Sequence, residues 1–162
     1  MKYQPIAINL NKHRVLIIGG GLVAERKVLS LLKSGGRIQL ISPTLTAKLS
    51  KLEKAKRFIW VKRLVREKDL RNFRFIITAT NNNQVNKDVS RWSKKAKAWI
   101  NVVDEPNLSN FISPALFKKG EAIVAVYTDG RNPVLSRDLK NFLKEHWDEF
   151  LSYRHRLQKR SR

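Results

Sequence analysis

The chain has 162 residues, with 34 Lys and Arg against 13 Asp and Glu, a formal net charge of +21, and no cysteine. Disulfides, a thiolate nucleophile, a Cys-ligated zinc and an iron–sulfur cluster are thereby excluded, and His13, His146 and His155 lack any close ligand spacing. No apolar run approaches the roughly 18 residues of a membrane span and the opening Met-Lys-Tyr-Gln-Pro has no apolar signal core, so a soluble cytoplasmic protein is expected.

Arg14-Val-Leu-Ile-Ile-Gly19 is a continuous apolar run ending in glycines, the pattern of a buried parallel strand. Leu22, Val23, Val28, Leu29, Leu31 and Leu32 then recur at helical spacing until Ser34-Gly35-Gly36 stops them, and Ile38-Gln-Leu-Ile41 reads as a second strand. The rhythm continues with a helix through Leu45, Leu49 and Leu52 and strands at Phe58-Ile-Trp-Val61 and Phe75-Ile-Ile-Thr-Ala79. A helix from about Gln84 to Ala96 and a strand at Trp99-Ile-Asn-Val-Val103 follow. Strands alternating with helices predict right-handed crossovers and an α/β, doubly wound parallel sheet.

After Asp104 the rhythm changes. Glu105 to Asn110 is loop chemistry, Ala122-Ile-Val-Ala-Val-Tyr127 is a strand, and Asp129-Gly130 makes a turn. One helix is predicted from near Pro133 through Leu135, Leu139, Phe142, Leu143, Trp147 and Leu151 toward a basic end. A boundary near residue 113 divides a dinucleotide-binding domain, 1–113, from a small α+β remainder, 114–162. That remainder is too short to bury its own apolar surface, which points to completion against the first domain or a second subunit.

Gly19-Gly20-Gly21-Leu22-Val23-Ala24 matches G-x-G-x-x-A between a strand and a helix. In that context Gly19 makes the tight turn, Gly21 admits a pyrophosphate to the backbone and Ala24 lets helix pack on strand, while the helix N-terminus offers unpaired N–H groups to the phosphates. The acidic residue expected some twenty positions on is missing, for no Asp or Glu lies between Glu25 and Glu53. At the end of the second strand, Ser42 and the backbone at Pro43 read either as a ribose contact or as a strand-ending turn. Thr78-Ala79-Thr80-Asn81 and Asn101-Val102-Val103-Asp104 sit where such sheets bind ligands, outside the strands' carboxyl ends. Asp104 is either a proton acceptor for a dehydrogenation or a turn former.

In order and spacing, Gly19-Gly-Gly-Leu-Val-Ala-Glu-Arg-Lys27, Thr78-Ala-Thr-Asn81, Asn101-Val-Val-Asp-Glu-Pro106 and Phe111-Ile-Ser-Pro-Ala115 resemble the precorrin-2 dehydrogenases of siroheme synthesis, over about residues 1 to 147. The resemblance implies NAD-dependent oxidation of precorrin-2 to sirohydrochlorin by a homodimer with a small dimerisation domain. It implies cofactor contacts at Leu22, Val23, Ser42 and Pro43, to which the glycine loop adds Gly19, Gly21 and Ala24 and the fourth strand's end adds Thr80 and Asn81. It further implies a catalytic aspartate at Asp104 and substrate contacts about Asn101, Ser113, Thr128, Arg131 and Arg137. Where the family usually has Ser/Thr-Gly-Gly-x-Ser-Pro, this chain reads Thr128-Asp129-Gly130-Arg131-Asn132-Pro133, and it stops about where members of the family add a further helical domain. Iron insertion is not expected of it.

Before motifs are considered, the charge excess reads as the solvated surface of a highly charged protein, and the resemblance gives it a candidate purpose. Precorrin-2 is a polycarboxylate that a basic cleft attracts at long range, and Lys118, Lys119, Arg131 and Arg137 fall nearest the implied site. The denser run from Lys48 to Arg74 belongs to another part of the sheet. A nucleic-acid-binding role rests on charge alone, with no helix-turn-helix, RNA-recognition signature or zinc finger. A catalytically silent NAD-binding module is the other alternative, favoured by the altered stretch at Asp129 to Asn132.

Overall fold

The computed structural model describes residues 2–11, 13–103 and 105–160, the last by its backbone alone. Five of the apolar runs form strands β1 (Arg14–Ile18), β2 (Arg37–Ile41), β3 (Ile59–Val61), β4 (Phe75–Thr78) and β5 (Trp99–Val102). They join in one sheet of order β3-β2-β1-β4-β5, every pair parallel. Helices α1 (Leu22–Lys33), α2 (Ala47–Lys54) and α3 (Asn83–Lys95) supply three of the crossovers.

Side-chain alternation explains why β1 must be apolar throughout. Val15 and Ile17 pack with Ala24, Val28 and Leu49 on one face, while Leu16 and Ile18 pack with Leu70, Val89 and Ile100 on the other. The chain winds from β1 outward to β3 and then returns to lay β4 against the opposite side of β1, so the order reverses between β1 and β4. Ile18 lies opposite both Ile41 and Thr78. Three strands therefore end level, and the crevice that such a reversal creates opens where β1 and β4 finish.

The residues cluster into two compact units, Ile6–Ile112 and a smaller one made of the first five residues together with those from Ser113 onward. The smaller unit differs from expectation in two ways. An additional strand, β6 (Ala115–Lys119), pairs antiparallel with β7 (Ala122–Val126) across a turn at Gly120, whose φ is +58°. Only Phe117 of β6 is buried, which is why no apolar run announces it. The single carboxyl-terminal helix is two helices, α4 (Pro133–Glu145) and α5 (Trp147–Arg160). At the break, the backbone N–H of His146 donates to the Phe142 carbonyl and the imidazole Nδ1 lies 2.9 Å from that oxygen, so the residue closes α4 with both backbone and side chain. Among the described residues, no helix is long and apolar enough to cross a membrane.

Candidate functional site

The glycine loop is built by close approach. Gly19 follows β1 with φ +111°, its N–H donating to the Ile41 carbonyl at 3.0 Å, and a Cβ there would overlap the carbonyl of Ala79, the residue after β4. Gly20 is equally constrained, because a Cβ would run into the Thr44 carbonyl and the Ser42 hydroxyl. The motif treats Gly20 as a free position, so this requirement escapes a pattern read from sequence. Gly21 is the opposite case: nothing lies within 4 Å of where its Cβ would stand. Two glycines thus bring three strand ends together, and the third leaves a space.

That space faces a helix end. Gly21 caps α1 without a side chain, and the first helical hydrogen bond runs from Glu25 N–H to its carbonyl. Among the described residues, the amides of Leu22, Val23 and Ala24 donate to no carbonyl or side chain. Three unpaired donors and the positive end of the helix dipole, beside a glycine with open space over it, suit the pyrophosphate of a dinucleotide. Ala24 is wholly buried against the sheet, which accounts for its small side chain. The residues present therefore fit a bound NAD.

A second strap holds the loop from α2. Thr46 N–H donates to the Gly20 carbonyl at 3.0 Å, and its hydroxyl accepts from Leu49 N–H and donates to Glu25 at 2.6 Å. Ser42 is buried, and its hydroxyl donates to the Thr44 carbonyl, while its own carbonyl accepts from the Trp60 indole. Pro43 and Thr44 are exposed at this corner. After β4, the hydroxyls of Thr78 and Thr80 both donate to Asn86 Oδ1, at 2.9 and 2.8 Å, and Asn86 Nδ2 returns a bond to the Thr80 carbonyl. Asn86, on α3, escapes sequence reading because its only signal is a polar residue on a helix face that proves buried. Asn81 stands exposed beside it.

Gly19, Gly21, Leu22, Val23, Ala24, Ser42 and Thr80 thus gather around the carboxyl ends of β1, β2 and β4. Asn101 lies on β5 and is buried, its amide donating to the Phe111 carbonyl at 3.1 Å, while its Oδ1 has no partner. Asp104 lies outside the described residues. Ser113, Thr128, Arg131 and Arg137 belong to the smaller unit. There the Thr128 hydroxyl donates to the Asn132 carbonyl and lies 2.8 Å from the Ser136 hydroxyl, Arg131 is exposed 4.0 Å from Asp129, and Arg137 pairs with Asp138. The Asp129 carboxylate, with a positive φ of 57°, accepts the amides of Lys2 and Tyr3 at 2.9 Å, and these bonds, that from Lys2 foremost, hold its pKa below the ordinary carboxylate value.

A parallel sheet reversing at β1/β4, with a glycine loop and three unpaired helix amides at the reversal, defines a dinucleotide-binding protein of the Rossmann type. The family model described as putative NAD(P)-binding matches residues 6–115. Precorrin-2 dehydrogenase of Bacillus subtilis is 33% identical over 135 residues, which are 83% of each chain. A solved structure of SirC, precorrin-2 dehydrogenase, superposes with a TM-score of 0.77 at 29% identity, covering 97% of this chain and 78% of that one. Siroheme synthase of Vesicomyosocius okutanii is 34% identical over 140 residues, and the match spans 86% of this chain but only 30% of that much longer protein. The chain belongs to the precorrin-2 dehydrogenase family.

Proposed function

We propose that this chain oxidises precorrin-2 to sirohydrochlorin with NAD as the electron acceptor. The observation that carries the proposal is the loop at Gly19 to Ala24, where three unpaired amides and the open space over Gly21 meet at the reversal of the sheet. The likeness to a dehydrogenase of nearly its own length supports it, and the further activities of the longer siroheme synthases are not assigned to this chain.

When bound, the nicotinamide supplies the site that takes up the hydride. The chain's residues do the rest. The amides of Leu22, Val23 and Ala24 hold the pyrophosphate, and Gly19 and Gly20 allow the strand ends to approach closely enough to form the crevice. Asp104, two residues beyond the end of β5 in sequence, accepts the proton that leaves the substrate, a task for an ionised carboxylate. Arg131 and Arg137, exposed in the smaller unit, offer charge to the polycarboxylate substrate. The apolar side chains exposed on α4, among them Leu139, Phe142 and Leu143, form the contact of a homodimer, and the protein works in the cytoplasm.

An anaerobic assay with precorrin-2 and NAD tests this, following cofactor reduction together with the sirohydrochlorin absorption band. The two signals should rise together in a fixed ratio. Binding of NAD without any substrate-dependent reduction would instead favour the catalytically silent module.

A further inference from the structure

β5 is the last strand of the sheet, so one side of it has no neighbour. Its odd-numbered residues face β4, as Trp99 N–H donating to the Arg74 carbonyl and Val103 N–H to the Thr78 carbonyl show. The even-numbered residues therefore turn their peptide groups outward, where an open edge leaves donors and acceptors unpaired and invites pairing with another chain. Among the described residues, no strand covers them. Two side chains do.

Asn110 Oδ1 accepts from Ile100 N–H at 2.7 Å, its Nδ2 donates to the Ala98 carbonyl at 3.0 Å, and its own backbone N–H donates to the Ile100 carbonyl at 2.9 Å. Ser109 Oγ accepts from Val102 N–H at 2.9 Å, with the Val102 and Glu105 carbonyls at 3.2 and 3.0 Å to receive its proton. The N–H groups of Ile100 and Val102 and the carbonyls of Ala98, Ile100 and Val102 are in this way all met by two residues. The flanking positions are fastened as well: Ser90 of α3 donates to the Leu108 carbonyl at 2.6 Å, and Asn101 donates to that of Phe111. Four consecutive residues, 108 to 111, are each tied to β5 or to the helix beneath it.

The chain between these ties carries position 104. On one side Val103 is bonded to β4, and on the other Glu105 N–H donates to the Val102 carbonyl at 3.2 Å. The described residues on either side of position 104 are thus each held by a backbone hydrogen bond, and Ser109 closes the segment between Val102 and Glu105. We infer that Ser109 and Asn110 are positioning residues for the proposed dehydrogenation: they meet the open edge of β5 with hydrogen bonds in place of a sixth strand and so fix Val103 and Glu105, the residues that flank the proposed proton acceptor Asp104 in sequence. The inference rests on the function proposed above for its catalytic half and on the hydrogen-bond pattern alone for its structural half.

The test compares Ser109→Ala, Asn110→Ala and Ser109→Thr in the full chain, with Ser90→Ala as a milder variant that loses one bond and no volume. At a temperature well below the melting point of every variant, kcat should fall on the order of 10- to 100-fold in the two single-site losses, since displacement of a reacting group by about 1 Å suffices for that. NAD affinity measured by calorimetry should stay unchanged, Ser109→Thr should recover most of the rate, and Ser90→Ala should show a smaller loss in the same direction. Hydrogen exchange of the Val103 and Glu105 amides, read on the same proteins, should quicken in the Ala variants and return in Ser109→Thr. Lower melting temperatures with kcat and the exchange of these two amides both unchanged would overturn the inference. If Ser109→Ala and Asn110→Ala do not fold, Ser90→Ala decides by the same two readings. If the wild-type protein reduces no NAD with precorrin-2, the proposed function fails, and exchange then decides the structural half: unchanged protection of the Val103 and Glu105 amides removes it too.

Discussion

Among single residues, the three consecutive glycines do different work. A Cβ at Gly20 meets the Thr44 carbonyl and the Ser42 hydroxyl, atoms of a loop that is itself fastened to Gly20 by Thr46. Gly20→Ala is therefore expected to act on stability, by about 1–3 kcal/mol as overpacking does, seen as a fall in melting temperature of roughly 5–10 °C. Gly21→Asp should leave the melting temperature nearly untouched, because the space it enters is empty, and abolish NAD binding by placing a carboxylate beside the unpaired amides. Calorimetric titration and thermal melting of both variants separate the two roles, and unchanged NAD affinity in a folded Gly21→Asp protein would reduce the loop to a turn. Asp104→Asn is nearly isosteric and removes the proposed proton acceptor, so under that proposal kcat should drop on the order of 10²–10⁴-fold with the cofactor affinity retained. Of these positions, Gly19, Gly21 and Ala24 are legible in the sequence because a spacing motif encodes them. Gly20, Asn86, Ser109 and Asn110 are not, since each acts on a segment that only the folded sheet brings beside it.

The alternating elements of the larger unit can be read from the chain because its central strands β1 and β4 are buried on both faces and its helices bury one face each. Local periodicity thereby carries the long-range result. The smaller unit breaks that link. β6 owes its existence to pairing with β7, and its alternation hides behind Lys118 and Lys119, while the α4–α5 break depends on how His146 turns back on Phe142. Its amino-terminal piece is held by a residue remote in sequence, Asp129, through the amides of Lys2 and Tyr3. With its pKa lowered by those bonds, the Asp129 carboxylate contributes stability that is present above the unfolded value, about 3.9, and is lost as pH falls through the lower folded value. The tether should hold at neutral pH and release only in acid. Asp129→Gly keeps the positive φ without strain and removes the acceptor, so the Lys2 and Tyr3 amides should lose exchange protection at pH 7 with little change in melting. Protection that persists in this variant would assign the holding of the segment to other contacts. On α4, Phe142 is 55% exposed although its ring stacks on His146. Phe142→Glu should accordingly turn a dimer into monomers by light scattering without unfolding the protein, and a wild-type monomer at micromolar concentration would remove the dimer proposal.

For the whole molecule the governing quantity is the charge of +21, spread over a protein whose acidic residues are few and in part already paired. Repulsion of that size opposes compaction unless anions offset it, which suits a polyanionic partner but equally a solvated basic surface, so charge alone does not choose. Salt dependence cannot distinguish the candidates, because a polycarboxylate and a nucleic acid both bind more weakly as screening rises. Location can. Arg131 and Arg137 are exposed in the smaller unit and each has one acidic neighbour, whereas Lys51 and Lys54 lie exposed on α2 in the dense basic run of the larger unit. Under the proposed function, reversing Arg131 and Arg137 to Glu should weaken binding of the tetrapyrrole about tenfold more than reversing Lys51 and Lys54, since the proposal puts the first pair against the substrate and leaves the second only the long-range field, which falls off over a Debye length of about 8 Å in physiological salt. Titration of both double variants with sirohydrochlorin, followed by its absorption band, reads the difference. Equal losses from the two pairs would mean that the charge acts only as a diffuse field. A larger loss at Lys51 and Lys54, accompanied by sequence-selective nucleic-acid binding that survives physiological salt, would instead place the ligand of the basic surface on the α2 side and leave the dehydrogenase site without a part in it.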